Sequence, residues 1–436
     1  MGGITDHYET IARCNRCGFC QVACPIFRAT GHEAGVARGR IALLRAIVEG
    51  QLEWSPELKE PLFACLLCGA CTANCFPAVP TADLLLTARN EYLDRVGRSS
   101  IHRLLFNHLL PHPGRLRMAA RAAALGKRTG LARIAKALGL LRFLGRDFPR
   151  AEQIVDRFPS PMLRDRLKDV CAESEPSASR RAGAKALRVG YFVGCGMDLM
   201  CPAAGEASVR VLRGLGHAVR VLDNVCCGLP PQTYGDTAAA QRLAERNLPV
   251  LTSADLDVIV TDCASCAAFL KKYPTLFGPE HPLHEAARSA AGRVRDFVEL
   301  AGAPAAGPEP VQTGERMIVT YHDPCHASRG QGITAEPRRL LAALANVEYR
   351  ELPEADWCCG GSGSYALSHY DLSRKVLDRK IDNVVKTGAN VLATSCPACI
   401  IHLSFGVRKR GLNIRVFHIS QLLAEVSSSV PSLHSP

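Results

Sequence analysis

The sequence lacks the features that mark secreted and membrane-spanning chains. Its first ten residues, M-G-G-I-T-D-H-Y-E-T, contain no apolar signal core, so we expect a protein of the reducing cytoplasm, where thiols stay free. The longest run without a charged residue, 387–407, has twenty-one residues, but it contains Asn390, Ser395, Pro397 and His402. We therefore interpret this run as a strand, a loop and a helix, and predict no transmembrane segment.

Two kinds of binding site are also absent from the sequence. The glycine-rich stretch 360–363 lacks both the G-x-G-x-x-G spacing and a later acid, so no site for NAD or FAD is predicted on this chain. Residues 101–150 hold eleven Arg or Lys against one acid, Asp147, but these charges are not regularly interleaved with aromatic side chains. Nucleic-acid binding is therefore disfavoured. Arg117, Arg121 and Arg128 fall on one helical face of this segment, and its net charge of +10 fits either an anionic bilayer or acidic partner, or a solvated connector.

Cysteine, by contrast, is abundant, with twenty residues in a chain of 436. The segment from Cys14 to Pro25 reads C-N-R-C-G-F-C-Q-V-A-C-P, which is the bacterial ferredoxin spacing for a 4Fe-4S cluster. A second segment repeats this spacing, with Pro77 displaced one residue by Phe76. The eight predicted ligands are Cys14, Cys17, Cys20, Cys24, Cys65, Cys68, Cys71 and Cys75. Zinc is disfavoured because it prefers separated pairs, and disulfide frameworks belong to small secreted chains.

The fourth cysteine of each run is predicted to serve the cluster of the other run. In two-cluster ferredoxins, the cysteine that precedes the proline ligates the second cluster. One cube is then held by Cys14, Cys17, Cys20 and Cys75, and the other by Cys65, Cys68, Cys71 and Cys24. Apolar residues at helical spacing in 39–49 separate the runs, so residues 1–100 are predicted to form an α-helical ferredoxin domain.

From residue 186 onward, short apolar segments alternate with helical ones, which predicts a parallel α/β sheet. L-R-V-G-Y-F-V-G-C ends at Cys195, D-V-I-V-T-D-C ends at Cys263, and helices are expected at 203–215 and 238–247. V-R-V-L-D-N, M-I-V-T-Y-H-D-P-C and A-N-V-L-A-T-S-C are further predicted strands. Because ligands gather at the carboxyl ends of such strands, these cysteines are candidate site residues.

The region after residue 186 is an internal duplication at offsets of 130 to 133 residues. Each copy has a cysteine after a strand, then Cys-Cys-Gly, then Cys-x-x-Cys. The glycine of each Cys-Cys-Gly, Gly228 or Gly360, permits a positive φ and a close approach of the backbone to a cluster. The ten candidate ligands are Cys195, Cys226, Cys227, Cys263 and Cys266 in repeat 1, and Cys325, Cys358, Cys359, Cys396 and Cys399 in repeat 2. The predicted fold is α+β and multidomain: the ferredoxin domain, a basic helical linker at 101–185, repeats at 186–310 and 311–425, and a tail at 426–436.

These motifs carry a family resemblance. C-C-G-L-P with C-A-S-C, and C-C-G-G with C-P-A-C, resemble the cysteine-rich CCG domains of heterodisulfide reductases and of glycolate oxidase iron-sulfur subunits. G-R-I-A-L-L after the first ferredoxin run is similar to the glycolate oxidase type. The resemblance covers nearly the whole chain and implies two ferredoxin-type 4Fe-4S clusters and one or two further 4Fe-4S clusters. In heterodisulfide reductases the five-cysteine motif binds a noncubane cluster.

The resemblance also implies a function. Because the chain has no flavin site, it needs a partner, and glycolate oxidases imply an FAD-linked subunit that oxidises a 2-hydroxy acid such as glycolate or D-lactate. The clusters would relay electrons to a quinone or another acceptor such as an electron-transfer flavoprotein, with peripheral contact at the inner face of the membrane. The alternative is a heterodisulfide-reductase-like subunit that reduces a disulfide. A structural cysteine-rich binding module would explain the charge, but not the positioned cysteines.

Four other residues remain. Cys171 and Cys201 lie outside the predicted ligand sets and are expected to be ordinary residues. His322 and His326 flank Cys325 in H-D-P-C-H, where either cluster tuning and proton supply or simple packing would explain them. Both five-cysteine sets are complete, so both are expected to be filled. Because the repeats are predicted to be separate sheets, the two sites are also expected to be independent.

Overall fold

The computed structural model describes residues 2–145, 147–172, 186–302, 316–363 and 365–427. The predicted tail at 426–436 falls almost entirely outside these residues, as does the side chain of Cys171. Among the described residues, no helix is both long enough and apolar enough to cross a bilayer. The 387–407 run is a strand, a loop and a helix, as predicted.

The N-terminal region consists of short helices around two cysteine loops, which confirms the predicted α-helical ferredoxin fold. Its helices are α1 (Tyr8–Ala12), α2 (Phe19–Ala23), α3 (Pro25–Thr30), α4 (Ala37–Val48), α5 (Lys59–Phe63), α6 (Ala70–Ala73) and α7 (Thr81–Arg95), with 3-10 turns at Ile4–His7, Glu33–Gly35 and Pro56–Leu58. Helix α4 corresponds to the apolar stretch predicted at 39–49. Its Ile41 and Leu44 pack with Leu85 of α7 in a core separate from that of the repeats.

The basic segment is also helical. It contains α8 (Ser100–Leu104), a π-helical turn (Leu105–Leu109), α9 (Pro113–Arg128), α10 (Leu131–Ala137), a 3-10 turn (Leu140–Leu144), α11 (Phe148–Ala151), a 3-10 turn (Glu152–Ile154) and α12 (Leu163–Ala172). Phe106, Leu110, Leu163 and Leu167 are buried in the core of the repeats. The segment is therefore attached along one side to the folded body and is more than a solvated connector.

The two repeats are separate four-stranded parallel sheets with the same topology. Repeat 1 contains β1 (Arg188–Tyr191), α13 (Cys195–Met200), α14 (Pro202–Gly214), β2 (Ala218–Val221), α15 (Leu229–Tyr234), α16 (Thr237–Leu251), β3 (Val258–Thr261), α17 (Ala264–Leu270), a 3-10 turn (Tyr273–Leu276), α18 (His284–Arg293), β4 (Val294–Asp296) and α19 (Phe297–Ala301). Repeat 2 contains β5 (Met317–Tyr321), α20 (Cys325–Gln331), α21 (Ala335–Ala342), β6 (Val347–Tyr349), α22 (Tyr365–Ser368), α23 (Tyr370–Lys386), β7 (Val391–Thr394), α24 (Pro397–Lys409), β8 (Arg415–His418) and α25 (Ile419–Ser427). The strand orders are β2-β1-β3-β4 and β6-β5-β7-β8.

The central strands place the cysteines that follow them at one end of each sheet. Every residue of β3 and of β7 is buried, as expected for apolar strands covered by helices on both faces. Strand β3 ends at Thr261, and β7 ends at Thr394. Each is followed two residues later by the first cysteine of a Cys-x-x-Cys, which therefore lies at a carboxyl end, where parallel sheets bind ligands.

The repeats pack against each other at these same ends. The Ala264 amide donates to the Ser395 carbonyl (3.1 Å), and His418 Nε2 lies 2.9 Å from the Asp262 carbonyl oxygen. The Ser420 hydroxyl donates to the Ala204 carbonyl at 2.9 Å. The two sheets are separate, as predicted, but a continuous apolar core joins them.

Candidate metal centres

The two ferredoxin loops have the same backbone conformation. Arg16 and Leu67, each just before the second cysteine of its run, have φ of 54° and 53°. Gly18 and Gly69, just after that cysteine, have φ of 90° and 72°. A bulky residue in the left-handed region is uncommon and is held there by its surroundings. The turn brings the Leu67 amide to 3.4 Å from the Cys65 sulfur, so backbone N–H groups face the thiols.

Each loop lines a small cavity, and the cysteines divide between the two cavities. The first cavity is lined by Cys14, Cys17, Cys20, Cys71 and Cys75. The second is lined by Cys24, Cys65, Cys68 and Cys71. Cys75 thus joins the first run, and Cys24 joins the second, which is the grouping that an exchange of fourth ligands requires. Cys71 lies between the cavities.

Two thiols of the second cavity do not ionise readily at neutral pH in the absence of metal. Burial raises the pKa of Cys24 to about 11 and that of Cys71 to about 12. Iron binds the thiolate form, so loading this cavity must release protons. Arg40 opposes the effect at Cys24, since its nearby positive charge lowers the pKa of that thiol.

A buried arginine connects this cavity to repeat 1. Arg89 of α7 donates to the carbonyls of Leu62, Cys65 and Thr233. Burial lowers the pKa of Arg89 to about 10, so the guanidinium stays charged at neutral pH. This cation lies close to Cys65, where it offsets the negative charge of a thiolate.

The five cysteines of repeat 1 converge at the carboxyl end of its sheet. The Cys195 and Cys226 sulfurs are 3.8 Å apart, and the Cys266 amide donates to the Cys263 sulfur at 3.4 Å. Hydrogen bonds from Cys226 and then Cys266 lower the pKa of Cys227, so this thiol ionises most readily in the set.

Two polar side chains fix the Cys-Cys pair of repeat 1. The Asn247 amide donates to the Cys226 carbonyl (3.0 Å), and the Tyr273 hydroxyl donates to the Cys227 carbonyl (2.8 Å). Both side chains are fully buried. They hold the backbone of the pair without contacting its sulfurs, which leaves the thiols free for a metal.

The five cysteines of repeat 2 form a similar site. The Cys359 and Cys399 sulfurs are 3.6 Å apart, and the Gly360 amide donates to the Cys358 sulfur at 3.4 Å. As in repeat 1, hydrogen bonds from the preceding cysteine, Cys358, and then from the Cys-x-x-Cys motif at Cys399 lower the pKa of the second cysteine of the pair. In repeat 2 hydrogen bonds from Cys263 and Cys399 also lower the pKa of Cys396, so two thiols ionise readily there, against one in repeat 1.

A glycine is required after each Cys-Cys pair, and the reason is the neighbouring protein backbone, not a cluster. Gly228 and Gly360 have φ of 97° and 84°, which confirms the expected left-handed conformation. A Cβ at Gly360 would lie 2.7 Å from the Ser373 carbonyl oxygen of α23, and one at Gly228 would lie 3.1 Å from the Ala240 carbonyl oxygen of α16. The close approach that excludes a side chain is therefore to a helix backbone.

The cysteine sets also contact one another. The thiols of Cys68, in the second ferredoxin cavity, and Cys358, in repeat 2, are close enough to share a hydrogen bond. Cys263 of repeat 1 and Cys396 of repeat 2 are in the same relation. The two sites are therefore neighbours although their sheets are separate, because the carboxyl ends of β3 and β7 meet. That each site is independent of the other stays a prediction.

Two nitrogen-bearing side chains of repeat 2 add to the site. His322 is fully buried, and its ring nitrogen and the Cys359 and Cys399 sulfurs lie within 4.8 Å of one another. Burial lowers the pKa of His322 to about 3, so the ring is neutral. Lys380 is also buried and donates to the Glu354 and Ala355 carbonyls. The sequence singled out His322 only by its place beside Cys325, and Lys380 carried no local signal, although a comparison of the repeats could have found it.

The remaining sequence candidates have simpler surroundings. His326 Nδ1 lies 2.9 Å from the Ser265 hydroxyl, whose oxygen is 3.3 Å from the Cys396 sulfur. Cys201 is buried outside both five-cysteine sets, and burial raises its pKa. The Cys171 side chain lies outside the described residues.

Three family descriptions match consecutive parts of the chain. A 4Fe-4S dicluster domain matches residues 10–78, and the linker region of glycolate oxidase iron-sulfur subunits matches 97–155. The cysteine-rich CCG domain matches twice, at 189–271 and 319–404. The matched order is the one predicted from the cysteine motifs, and the second match covers the basic segment.

Named relatives align with all or about half of this chain. A probable glycolate oxidase iron-sulfur subunit of Bacillus subtilis (strain 168) is 29% identical over 96% of this chain and 94% of its own length. One subunit of the CoM/CoB fumarate reductase of Methanothermobacter marburgensis is 34% identical over 54% of this chain and 46% of its own length. Lactate utilization protein A 1 of Bacillus cereus (strain AH820) is 29% identical over 54% of this chain and 98% of its own length. With its dicluster domain, its linker and both cysteine-rich repeats matched, the chain is similar over nearly its whole length to a glycolate oxidase iron-sulfur subunit.

Proposed function

We propose that this chain is the iron-sulfur electron-transfer subunit of a 2-hydroxy-acid oxidase, acting on glycolate or D-lactate through an FAD-linked partner. Support comes from relatives named as a glycolate oxidase subunit and as a lactate utilization protein. In this scheme the partner removes the hydride and the present chain carries electrons away one at a time. The chain is thus one part of an oxidoreductase, and substrate specificity belongs to the partner.

The proposed ligands are the eighteen cysteines of the four sets. The first ferredoxin site would use Cys14, Cys17, Cys20 and Cys75, the second Cys24, Cys65, Cys68 and Cys71, and each repeat its own five cysteines. A 4Fe-4S cluster at each site supplies reversible one-electron chemistry. The residues fit such a group, since they are thiols in cavities with backbone N–H donors, and buried arginines lie beside Cys24 and Cys65.

The observation that carries the proposal is the continuity of the cysteine sets. Cys71 lines both ferredoxin cavities, Cys68 adjoins Cys358, and Cys263 adjoins Cys396. Neighbouring sites are therefore linked by side chains in contact, from one end of the series to the other. A disulfide-forming or purely structural role would not require this order, whereas an electron relay does.

Co-purification with a flavoprotein partner tests the proposal. The chain would be produced anaerobically together with an FAD-linked 2-hydroxy-acid oxidase, and glycolate or D-lactate would be added. We expect the iron-sulfur absorption of this chain to bleach only when both the flavoprotein and the hydroxy acid are present. Bleaching by neither substrate, while dithionite reduces the same preparation fully, would refute the assignment.

We also propose that the basic segment docks on the inner face of an anionic membrane, where a quinone would accept the electrons. Its exposed apolar side chains include Met118, Leu125, Leu131, Ile134, Leu138 and Phe143. They alternate with exposed basic residues, among them Arg128, Arg133 and Lys136. Apolar and cationic side chains on one surface favour the headgroup region of an anionic bilayer. We call these nine residues the linker surface.

A disulfide reductase is the second candidate function. Both five-cysteine sets are complete, and they meet at Cys263 and Cys396. Ser265 and His326 supply polar groups beside this junction. Reduction of a low-molecular-weight disulfide by the iron-loaded chain, with a reduced dye as donor, would favour this function. If the chain accepts electrons from its flavoprotein but shows no such activity, electron relay is the function that remains.

A further inference from the structure

The duplicated fold allows a position-by-position comparison of the two five-cysteine sites. His322 follows β5 as Phe192 follows β1, each three residues before the first cysteine of its site. The backbone partners are also equivalent: the Phe192 amide donates to the Val260 carbonyl at 2.8 Å, and the His322 amide donates to the Ala393 carbonyl at 2.9 Å. The two sites therefore differ at this position by one imidazole in place of a phenyl ring.

The imidazole of His322 has no hydrogen-bond partner among the described residues. Both ring nitrogens are shielded from solvent and unpartnered, although the Ala355 carbonyl lies near the ring without the geometry of a hydrogen bond. An unsatisfied buried polar group is destabilising, so its retention needs an explanation. The nearest candidate acceptors are the Cys359 and Cys399 sulfurs, with which the ring forms a compact group.

A second difference between the repeats also makes the surroundings of the repeat 2 site more positive. Lys380 of α23 occupies the position that Asn247 occupies in α16, at the 133-residue offset that also relates Cys263 to Cys396. Asn247 is neutral, whereas the Lys380 ammonium is buried close to Cys358 and Cys359. At these two positions repeat 2 therefore has an imidazole where repeat 1 has a phenyl ring, and a positive charge where repeat 1 has a neutral amide.

We propose that His322 donates a hydrogen bond to the thiolate-bound centre of repeat 2 and makes it the higher-potential centre of the two repeats. Hydrogen bonds and positive charge stabilise the more negative, reduced state of an iron-sulfur site and so raise its reduction potential. The cysteines of repeat 2 also adjoin the second ferredoxin cavity, through Cys68 and Cys358. Repeat 2 is thus the electron sink that the ferredoxin sites meet first.

This inference rests on the proposed function, because it requires both five-cysteine sites to hold clusters. The experiment therefore begins with iron quantitation of the full chain, purified without oxygen, before any potential is measured. A wild-type chain with about eight irons and ferredoxin signals only would overturn the cluster assignment itself. With both repeat sites loaded, redox titration followed by electron paramagnetic resonance tests His322 separately.

The decisive variants give each repeat the residue that the other repeat has at this position. In His322→Phe we expect full iron content and a lower midpoint for one repeat centre, with a shift of about tenfold in its redox equilibrium, or about 59 mV for one electron. In Phe192→His we expect the midpoint potential of the repeat 1 centre to rise. His322→Gln keeps an N–H donor and should restore much of the lost potential. Unchanged midpoints in a fully loaded His322→Phe chain would overturn the inference.

A spectroscopic measurement covers the case in which His322→Phe loses iron. The wild-type chain labelled with 15N-histidine is reduced, and nitrogen hyperfine coupling is measured in the signals of the repeat centres. A coupled histidine nitrogen in one repeat centre, absent in His322→Gln, supports the proposed contact. Absence of any such coupling in the wild-type chain would overturn it.

Discussion

Single residues determine which cavity a ligand serves, and Cys24 is the clearest case. It follows α2 in sequence with the first run, yet it lines the cavity of Cys65, Cys68 and Cys71. The turn before Pro25 directs it there, and its sulfur accepts a hydrogen bond from the Phe27 amide at 3.5 Å. The sequence predicted this exchange because the 2-2-3 spacing followed by proline is itself a local signal.

Cys24→Ser is therefore expected to change the spectrum of the second ferredoxin centre and leave the first unchanged. Serine retains the size of the side chain but is a weaker ligand for iron than a thiolate. Electron paramagnetic resonance of the reduced chain gives the result. Cys201→Ser removes a buried thiol outside the four sets and should leave every signal intact. A change confined to the centre of Cys14, Cys17 and Cys20 would refute the assignment.

Arg89 is a residue whose importance the sequence did not reveal. It is an arginine in the middle of an amphipathic helix, and only the tertiary structure shows that it joins the second ferredoxin loop to Thr233 of repeat 1. Tertiary contacts between segments so distant in sequence leave no periodicity or spacing to detect.

Arg89→Leu is expected to lower the free energy of unfolding by about 3 kcal/mol, because several buried carbonyls lose their donor together. Urea denaturation of the anaerobic protein, followed by circular dichroism, measures the loss. Arg95→Leu is the matched control on the same helix, since that arginine is 59% exposed and contacts only surface partners in its ion pair with Glu91 and its position over the Trp54 ring. Its removal should cost less than about 1 kcal/mol, and equal losses for the two variants would contradict the role of Arg89.

At the scale of secondary-structure elements, the sequence predicted the buried strands better than the edge strands. The apolar runs of β1, β3, β5 and β7 gave clear signals because these strands are central to their sheets. β4, β6 and β8 were missed, and all are edge strands with charged residues, in segments such as V-R-D and V-E-Y. An edge strand is covered less and needs no continuous apolar run.

The helices of the linker also correct the expected docking face. Arg117, Arg121 and Arg128 were predicted to form one basic face, but Arg117 and Arg121 form ion pairs with Asp165. Arg117 is only 16% exposed and also approaches Asp198. These two arginines hold α9 against α12, so the linker surface must use other residues.

Reversing Arg128, Arg133 and Lys136 to Glu is expected to weaken binding to vesicles of anionic phospholipid. Each basic residue near such a surface contributes about 1 kcal/mol, so the loss should exceed about tenfold and shrink as salt is added. Vesicle co-sedimentation at low ionic strength measures it. Arg288→Glu, at an exposed position of repeat 1, controls for net charge. Equal binding by both variants and the wild type would leave the segment without a membrane role.

At the scale of the whole molecule, the order of the sites is the property that the sequence could not supply. Spacing located the ten cysteines of the repeats, but it could not show that Cys68 adjoins Cys358 or that Cys263 adjoins Cys396. Those contacts come from the packing of the ferredoxin domain on repeat 2 and of repeat 2 on repeat 1. The proposed relay depends on them, since electrons move between sites only when the sites are close.

The most direct test of this account is the iron content of the full chain, purified without oxygen and measured together with its electron paramagnetic resonance spectrum. Two cubes and two repeat centres predict four clusters of four irons, or about sixteen irons per chain. Signals from the ferredoxin pair should be accompanied by distinct signals from the repeats. A reproducible content of about eight irons, with the ferredoxin signals intact, would contradict a relay that runs through both repeats.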